Sequence, residues 1–326
     1  MNSFKYSKNI QHEVIYHDNA SFYSRVYDIL IKDSMICALD MDQEYYLSMT
    51  DLRKNKIIKK FGRKGQGPGE LLHIPTSISI LSDNKLFFFD ANTDFIYCVD
   101  YLNDPGYTPV RQLKMADKNR VMQVLPLDYN TYIALGMFEK GRYLLLNEQG
   151  EDISFFYDYP TFENDESFTN YHKAMAFQGS FISRPDGKRF FFAANSSEVL
   201  EILEIVSKSE ITKIFEYHGK TAGFVPEGDG VKMVSTAIKR ESQMAFVNAA
   251  CTQEYIYLLY SGRIIQDNIH KAFQGNTVFV FDWNGKPIKK YNLDIDTNCI
   301  TVSEDDRVLY AIAELEDDTH LIKFKL

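Results

Sequence analysis

The segment FGRKGQGPGE, residues 61–70, contains the residue types that could bind an anion. Arg63 and Lys64 could pair with a negatively charged ligand, or they could be two solvated cations on a loop. The segment lacks both the GxxxxGK[ST] pattern and the following helix that a phosphate-binding loop needs. It also fails as a dinucleotide fingerprint, because the residues after its third glycine lead toward a strand and not into a helix. We therefore expect no nucleotide site here.

A second segment, FEYHGKTAGFVPEG at residues 215–228, carries Phe, Gly-Lys, Gly and Pro-Glu in the same order as the first. A pattern used twice is more typical of a structural device than of a catalytic one. Glu70 is expected to accept hydrogen bonds from the amides of its own loop. The polar residues of the two segments are nevertheless candidate ligand-binding groups: Arg63, Lys64, Gln66, Glu70, His73, His218 and Lys220.

Motifs for catalysis or metal binding are scarce. The seven histidines form no HExxH or other local ligand pair, and no G-x-S-x-G occurs. The four cysteines, at positions 37, 98, 251 and 299, are too widely spaced for a zinc clip and too few for a disulfide scaffold. We predict that they are buried apolar side chains, and we assign no catalytic residue and no metal ligand.

Composition excludes some classes of protein. The chain has 326 residues and a net charge of −9, which repels a nucleic-acid backbone. The amino-terminal residues MNSFKYSKNIQHEV show no apolar signal region and no lipid-attachment cysteine, and no apolar run is long enough to span a membrane. We predict a soluble, cytoplasmic protein without a transmembrane segment, or an envelope or periplasmic protein if an export signal has been removed.

Aromatic residues reach 14% and are almost all Phe and Tyr, as half-buried strands favour. A short polar turn followed by a very apolar strand recurs six times, at intervals of about fifty residues, each long enough for four strands. The six turns are Asp33-Ser34, Asp83-Asn84, Asp128-Tyr129-Asn130, Asp186-Gly187, Thr252-Gln253 and Asp305-Asp306. Runs such as LFFFD and RFFFAA are apolar without alternation, so both of their faces must be covered.

These patterns predict an all-β protein, a single six-bladed β-propeller over residues 1–326 with four-stranded antiparallel blades. The expected blades are residues 24–62, 74–115, 120–158, 172–217, 244–294 and 297–326. The last blade lacks an outer strand, and the run at residues 12–17 can supply it, which closes the ring and removes an open sheet edge. Residues 62–75 and 218–231 then cross one face from rim to axis, with Gly65, Gly67 and Gly69 turning at positive φ.

The inner strands of such a ring line its central channel. Gln123, Gln178, Asn248 and Asn298 are the obvious polar groups on the runs that we assign to inner strands, and none is a carboxylate. A hard cation prefers several converging oxygens including carboxylates. We therefore predict no cofactor, and a divalent cation in the channel is the alternative.

Two stretches interrupt the repeat. Residues 159–171 are acidic and aromatic, and Phe162, Phe168 and Tyr171 could either stack on a ligand or anchor the loop. Residues 228–243 are expected to form a turn or two of helix with Met233, Val234, Ala237 and Ile238 on one side.

FGRKGQGPGELLHIP followed by LFFFDANTDFIYCVD resembles the TolB-like six-bladed propellers that are abundant in Bacteroidetes, and more distantly the NHL-repeat propellers. The resemblance implies a binding or scaffolding propeller without a settled reaction. Relatives often carry an export or lipoprotein signal, which this sequence lacks. We predict a non-catalytic module that binds a protein, peptide or carbohydrate on one face. The alternative is a metal-dependent hydrolase or lyase with its site in the channel, similar to gluconolactonases.

Overall fold

A computed structural model describes residues 4–15, 23–67, 69–81, 85–100, 111–114, 120–316 and 318–326. The turn at Asp83-Asn84, Pro68 and residues 16–17 of the expected closing strand lie outside these ranges. Two strands come first in the chain, β1 (Ser7–Ile10) and β2 (His12–Val14). Six sheets follow and surround one axis, which confirms the six-bladed propeller with four-stranded antiparallel blades.

The first three blades are each built from four consecutive strands. Blade one contains β3 (Val26–Lys32), β4 (Met35–Asp40), β5 (Tyr45–Asp51) and β6 (Lys56–Arg63). Blade two contains β7 (Ser77–Ile80), β8 (Lys85–Asp90), β9 (Phe95–Asp100) and β10 (Arg111–Lys114). Blade three contains β11 (Arg120–Leu127), β12 (Thr131–Met137), β13 (Tyr143–Leu146) and β14 (Asp152–Phe156).

The helix α1 (Asn170–Ala176) precedes blade four, which contains β15 (Gly179–Ser183), β16 (Arg189–Ala194), β17 (Val199–Ser207) and β18 (Glu210–His218). A separate hairpin of β19 (Phe224–Gly228) and β20 (Val234–Ile238) follows. Blade five contains β21 (Phe246–Cys251), β22 (Tyr255–Tyr260), β23 (Gly275–Asp282) and β24 (Pro287–Thr297), with α2 (Ile269–Ala272) inserted after β22. Blade six contains β25 (Cys299–Val302), β26 (Val308–Leu315) and β27 (Asp318–Lys325).

The recurring turn after each inner strand has a physical basis. Asp33, Asn130 and Asp306 have φ of 53°, 55° and 58°, and Gly187 has φ of 69°. Asp, Asn and Gly tolerate this left-handed region better than other residues do. In blade five the Thr252 hydroxyl instead accepts the amide of Tyr255 at 3.1 Å. Short polar residues therefore mark the turns in the sequence because the backbone needs them there.

The core consists of clusters of buried side chains, one between each pair of neighbouring blades in the described structure. β16 shows how one strand serves two of them. Phe190 and Phe192 pack toward blade three, while Phe191 packs toward blade five. Both faces of this strand are covered, which is why its sequence does not alternate between polar and apolar residues.

The ring closes as predicted. β2 pairs antiparallel with β27, with His12 opposite Phe324 and Val14 opposite Ile322. The preceding strand β1 was not predicted. It adds to the rim of blade five by pairing in parallel with β24, and it buries Ile10 in the core. SKNI is too polar to read as a strand, because its other three residues are exposed.

Two local predictions are wrong. Residues 234–238 form strand β20 and not a helix, because Asp229 accepts three successive amides and, with Gly228 and Gly230 at positive φ, turns the chain back on itself. Conversely, the run that carries Gln178 and was assigned to an inner strand, KAMAFQGSFIS at residues 173–183, begins inside α1. Thr169 caps this helix by accepting the amide of His172.

Long connections gather on one side of the disc. In an antiparallel blade, the link to the next blade and the link between the second and third strands lie at the same end. The described links 64–76, 157–178 and 219–245, and the insertion that carries α2, therefore share what we call the upper face. Within the 157–178 link, Phe162 packs edge-on against Phe168, Phe177 and Phe224. These contacts indicate that Phe162 and Phe168 anchor the loop.

Candidate functional site

A cavity of about 610 Å³ lies at the axis of the ring. Inner strands β3, β7, β11, β15 and β21 line it, and α1 covers one side. Most of the wall is apolar, and a few polar side chains point into it. A cavity of this size and composition suits a small organic ligand.

Three of the polar groups occupy equivalent positions in alternate blades. Asp28, Gln123 and Asn248 each directly follow a β-bulge in the inner strand of blade one, three or five. A β-bulge leaves one residue without a partner on the neighbouring strand and changes the direction in which the following side chains point. All three of these side chains line the cavity. Gln123 and Asn248 were predicted from the sequence as channel residues, whereas Asp28, on the inner strand of blade one, was not.

The amide groups are partly engaged. Asn248 Nδ2 donates to Asp28 Oδ1 at 3.2 Å, and Asn248 Oδ1 accepts the amide of Ile300 at 2.8 Å. Asn248 therefore joins blade five to blades one and six. Gln123 Nε2 makes only long contacts, 3.4 Å to the Thr76 carbonyl and 3.5 Å to that of Gly179.

Two further amides had been expected at the channel. Gln178, the residue directly before β15, lines the cavity. Asn298 does not line the cavity, and its Nδ2 donates to Glu314 Oε1 at 3.4 Å.

Asp28 is the titratable group of this cluster. Burial raises its pKa to about 6, even though the hydrogen bonds from Asn248 and from the amide of Ile29 oppose the shift. The folded protein therefore binds a proton at Asp28 more tightly than the unfolded chain does. The protonated Asp28 carboxyl therefore contributes to the stability of the folded state. This contribution is complete below about pH 4 and is lost as the pH rises through 6.

We expect Asp28→Asn to remove this pH dependence. At pH 8 the variant should be more stable than the wild type by ~1–2 kcal/mol, because it removes a buried negative charge, and at pH 4 the two should be equal. Urea unfolding at several pH values measures the difference. A constant difference between pH 4 and pH 8 would contradict the raised pKa. Asp33→Asn, in a surface turn, is the control.

In the glycine-rich crossing, residues 62–75, the Glu70 carboxylate contacts other residues of the same segment. Glu70 Oε2 accepts the amide of Gly67 at 2.9 Å, which confirms the role expected for this carboxylate. Arg63 Nη1 lies 3.8 Å from Glu70 Oε1, and Lys64 Nζ lies 4.6 Å from the centroid of the Tyr46 ring. Among the described residues of the crossing, only Ile74 and those that follow it line the cavity. Arg63, Lys64, Gln66, Glu70 and His73 are not among the residues that line the cavity.

The reason for the glycines differs from the expected one. Gly69 has a positive φ of 78°, as predicted, and so does Gly62 at 64°. Gly65 and Gly67 do not. A Cβ on Gly65 would lie 1.8 Å from Glu70 Oε2, and one on Gly67 would lie 3.0 Å from it. These two glycines leave room for the Glu70 carboxylate.

We expect Gly65→Ala to destabilise the protein by ~1–2 kcal/mol, because the added methyl must displace Glu70 and break its bond to the Gly67 amide. The double variant Gly65→Ala, Glu70→Ala should recover part of the loss, since the clashing carboxylate is gone. Thermal unfolding measures both variants. Additive losses in the double variant would show that Glu70 is not the cause.

His218 and Lys220 lie at the end of blade four, outside the cavity. Lys220 Nζ donates to Gln243 Oε1 at 2.9 Å. His218 has potential ligand atoms within 4.8 Å of Glu201 and Glu216. Lys213 Nζ, however, lies 2.9 Å from Glu201 Oε1 and 2.8 Å from Glu216 Oε2, so an ammonium group already pairs with both carboxylates.

Arg142 was not predicted from the sequence to be a site residue. It is 1% exposed, it lines the cavity, and its Nη1 lies 2.6 Å from Oε2 of Glu201, which is equally buried. Tyr143 also donates to this oxygen at 2.7 Å. Burial alone would raise the pKa of Glu201, but Arg142 and Lys213 outweigh it and hold the pKa below its ordinary value. Both partners of the pair are therefore charged between blades three and four.

Comparison with known proteins establishes the family. A sequence profile described as TolB-like 6-blade propeller-like matches residues 3–305. The chain belongs to this family. This match confirms the resemblance to TolB-like propellers that the sequence indicated. No curated protein matches the chain.

Solved structures share the fold of this TolB-like propeller at low identity. A protein of Bacteroides fragilis aligns with a TM-score of 0.56 and 11% identity over 98% of both chains. Regucalcin from Agrobacterium tumefaciens, a calcium-binding protein, aligns with a TM-score of 0.53 and 12% identity, covering 98% of this chain and 96% of its own. A Swd1 propeller domain from Myceliophthora thermophila aligns with a TM-score of 0.50 and 10% identity, covering 97% of this chain and 99% of its own. In the described part of the chain, no helix has the length and hydrophobicity to cross a membrane.

Proposed function

We propose that this TolB-like propeller is a non-catalytic binding module that takes a small organic ligand into its central cavity from the upper face. The observation that carries the proposal is the cavity itself, about 610 Å³ at the axis, largely apolar and lined by a few polar side chains. Gln123, Gln178 and Asn248 are the amides that would orient the ligand.

The upper face supplies additional contacts. Its connections carry the exposed or half-exposed polar residues that the sequence analysis singled out, and these would meet the outer part of a larger ligand such as a peptide or carbohydrate. They are Arg63, Lys64, Gln66, His73, His218 and Lys220. Loops held by a rigid scaffold are where binding residues usually lie.

The alternative, a hydrolase or lyase with a channel metal, has weaker support. Asp28 is the one carboxylate among the described residues that line the cavity. Its Oδ1 already accepts from Asn248, and the Asn248 oxygen is occupied by the Ile300 amide. A hard cation requires several free oxygens converging on one point. The similarity to regucalcin extends to the fold alone.

The proposal is tested by filling the cavity. Met122 lies at the bulge of β11 and lines the cavity, so Met122→Trp should occupy the ligand's volume. We expect compounds from a panel of small aromatic acids, alcohols and amines to raise the Tm of the wild type and not of Met122→Trp. Ile58→Trp, which adds the same side chain on an exposed outer strand, should respond like the wild type. Identical responses of wild type and Met122→Trp would overturn the proposal.

A further inference from the structure

Residues of blades three and four and of α1 line one part of the cavity, which we call the side lobe. Its wall is formed by Leu135, Gly136, Arg142, Tyr159, Ala174 and Phe192. The only charged side chain in this lobe, among the described residues, is the guanidinium of Arg142.

Aromatic rings surround this guanidinium. Its Cζ lies 4.2 Å from the centroid of the Phe192 ring. The rings of Tyr143, Tyr159 and Phe177 lie 5.4, 5.7 and 5.8 Å away. The backbone amide of Arg142 donates to the Tyr157 carbonyl at 2.8 Å, which fixes where the side chain begins. The group is therefore held in place by packing before any ligand arrives.

Glu201 does not satisfy the guanidinium. It neutralises the charge of Arg142 at 2.6 Å, but it also accepts from Tyr143 and from Lys213, at 2.7 and 2.9 Å. Within the described structure, Nη2 of Arg142 has no hydrogen-bond acceptor, and Nη1 has only the poorly aligned Glu201 oxygen, although both atoms are buried. Two cations thus share one buried carboxylate, and donor groups of Arg142 remain unused.

We propose that the lobe is a subsite for the carboxylate of an organic monoanion with an apolar or aromatic body. This inference rests on the proposed function and names its ligand class. The planar guanidinium matches the two oxygens of a carboxylate, and the surrounding rings match a flat apolar body.

The charge of the cavity favours a monoanion over a phosphate ester. Arg142 is the only cation among the described residues that line the cavity, and Glu201 already offsets part of its charge. Across the axis, the carboxyl of Asp28 repels a second negative charge. A dianionic group would therefore enter the lobe without enough positive charge to balance it.

The experiment compares three probes that share a phenyl ring and a two-carbon chain and differ in charge, which are phenylacetate, phenethyl alcohol and phenethylamine. Affinity is measured by calorimetry for the wild type, Arg142→Lys and Arg184→Lys. Arg184 is the matched control, since it also lies over an aromatic ring, that of Trp283, and pairs with a carboxylate, that of Asp186, but does not line the cavity. Lysine keeps the charge and loses the planar pair of donors.

We expect the wild type to bind phenylacetate more tightly than the other two probes. Arg142→Lys should weaken phenylacetate by about tenfold and leave phenethyl alcohol unchanged, and Arg184→Lys should change neither. Equal affinities for acid and alcohol, or no effect of Arg142→Lys, would overturn the carboxylate subsite and leave the proposed function standing. If no probe binds at millimolar concentration, the subsite is overturned. The proposed function then falls only if the wild type and Met122→Trp also respond identically to the full panel.

A second measurement needs no variant. Crystals of the wild type soaked in para-bromophenylacetate should show the bromine in the side lobe and the carboxylate on Arg142. A bromine site elsewhere, or no ordered ligand, would overturn the inference even if Arg142→Lys fails to fold.

Discussion

Glu201→Gln should lower the free energy of unfolding by ~3–5 kcal/mol, because it leaves the guanidinium of Arg142 buried without a counter-charge. Arg142 and Glu201 are each 1% exposed, and the Phe192 ring packs against the guanidinium. The amide of glutamine can still accept one hydrogen bond but cannot balance the charge of Arg142 or Lys213. Urea unfolding of wild type and variant measures the loss.

Glu216→Gln is the matched control for this change. Glu216 pairs with the same Lys213 at 2.8 Å but is 54% exposed, so its loss should change stability by less than ~1 kcal/mol. The double variant Arg142→Met, Glu201→Leu replaces the pair by apolar side chains of similar size and should regain most of the stability. Equal losses of unfolding free energy for Glu201→Gln and Glu216→Gln would mean that burial of the Arg142–Glu201 pair does not affect stability.

Removal of residues 1–14 should cost ~4–6 kcal/mol and lower the Tm of the protein sharply. The deletion removes β1 and β2, exposes the core around Ile10 and takes away Phe4, whose ring stacks on Phe279 at 5.0 Å. It also leaves the outer edges of β24 and β27 unpaired. Such edges pair with other chains, so the truncated protein should also form dimers or aggregates.

Deletion of residues 1–10 separates the two strands, because it removes β1 and retains β2. We expect an intermediate loss of stability and no association through blade six. Calorimetry and size-exclusion chromatography distinguish the two truncations. Unchanged unfolding after removal of residues 1–14 would show that the pairing of β2 with β27 does not hold the ring together. Lys8→Ala, an exposed position in β1, should be neutral.

The fold could be predicted because its signals are local and repeated. A positive φ is required at Asp33, Asn130 and Asp306, and these turns mark the beginning of each blade's second strand. Burial on both faces makes strands such as β16 uniformly apolar. Neither signal depends on contacts between distant parts of the chain. The turn and the apolar strand therefore recur visibly even where the blades share little sequence.

The local errors come from contacts that a sequence does not display. The spacing of Met233, Val234, Ala237 and Ile238 fits a helix, but the turn at Asp229 and the packing of β20 against α1 decide for a hairpin. One of these contacts is the bond from the Thr236 hydroxyl to the His172 carbonyl at 2.8 Å.

The candidate site was predicted in part. Gln123, Gln178 and Asn248 do line the cavity. Arg142 was missed because a charged residue beside a glycine at the beginning of a strand usually lies in solvent. Its burial results from aromatic residues on two blades and on the link between them. The bulges that aim Asp28, Gln123 and Asn248 at the axis are also invisible in the pattern of polar and apolar residues.

The pairing of β2 with β27 has a consequence for biosynthesis. Strand β2 must wait for a partner made about 300 residues later, so blade six cannot assemble until β27 has been synthesised. Earlier blades can stack on one another in order, each burying its cluster against the one before. The ring is closed only when this late strand docks beside one that has been exposed since early in synthesis, and a contact between such distant parts of a chain forms slowly.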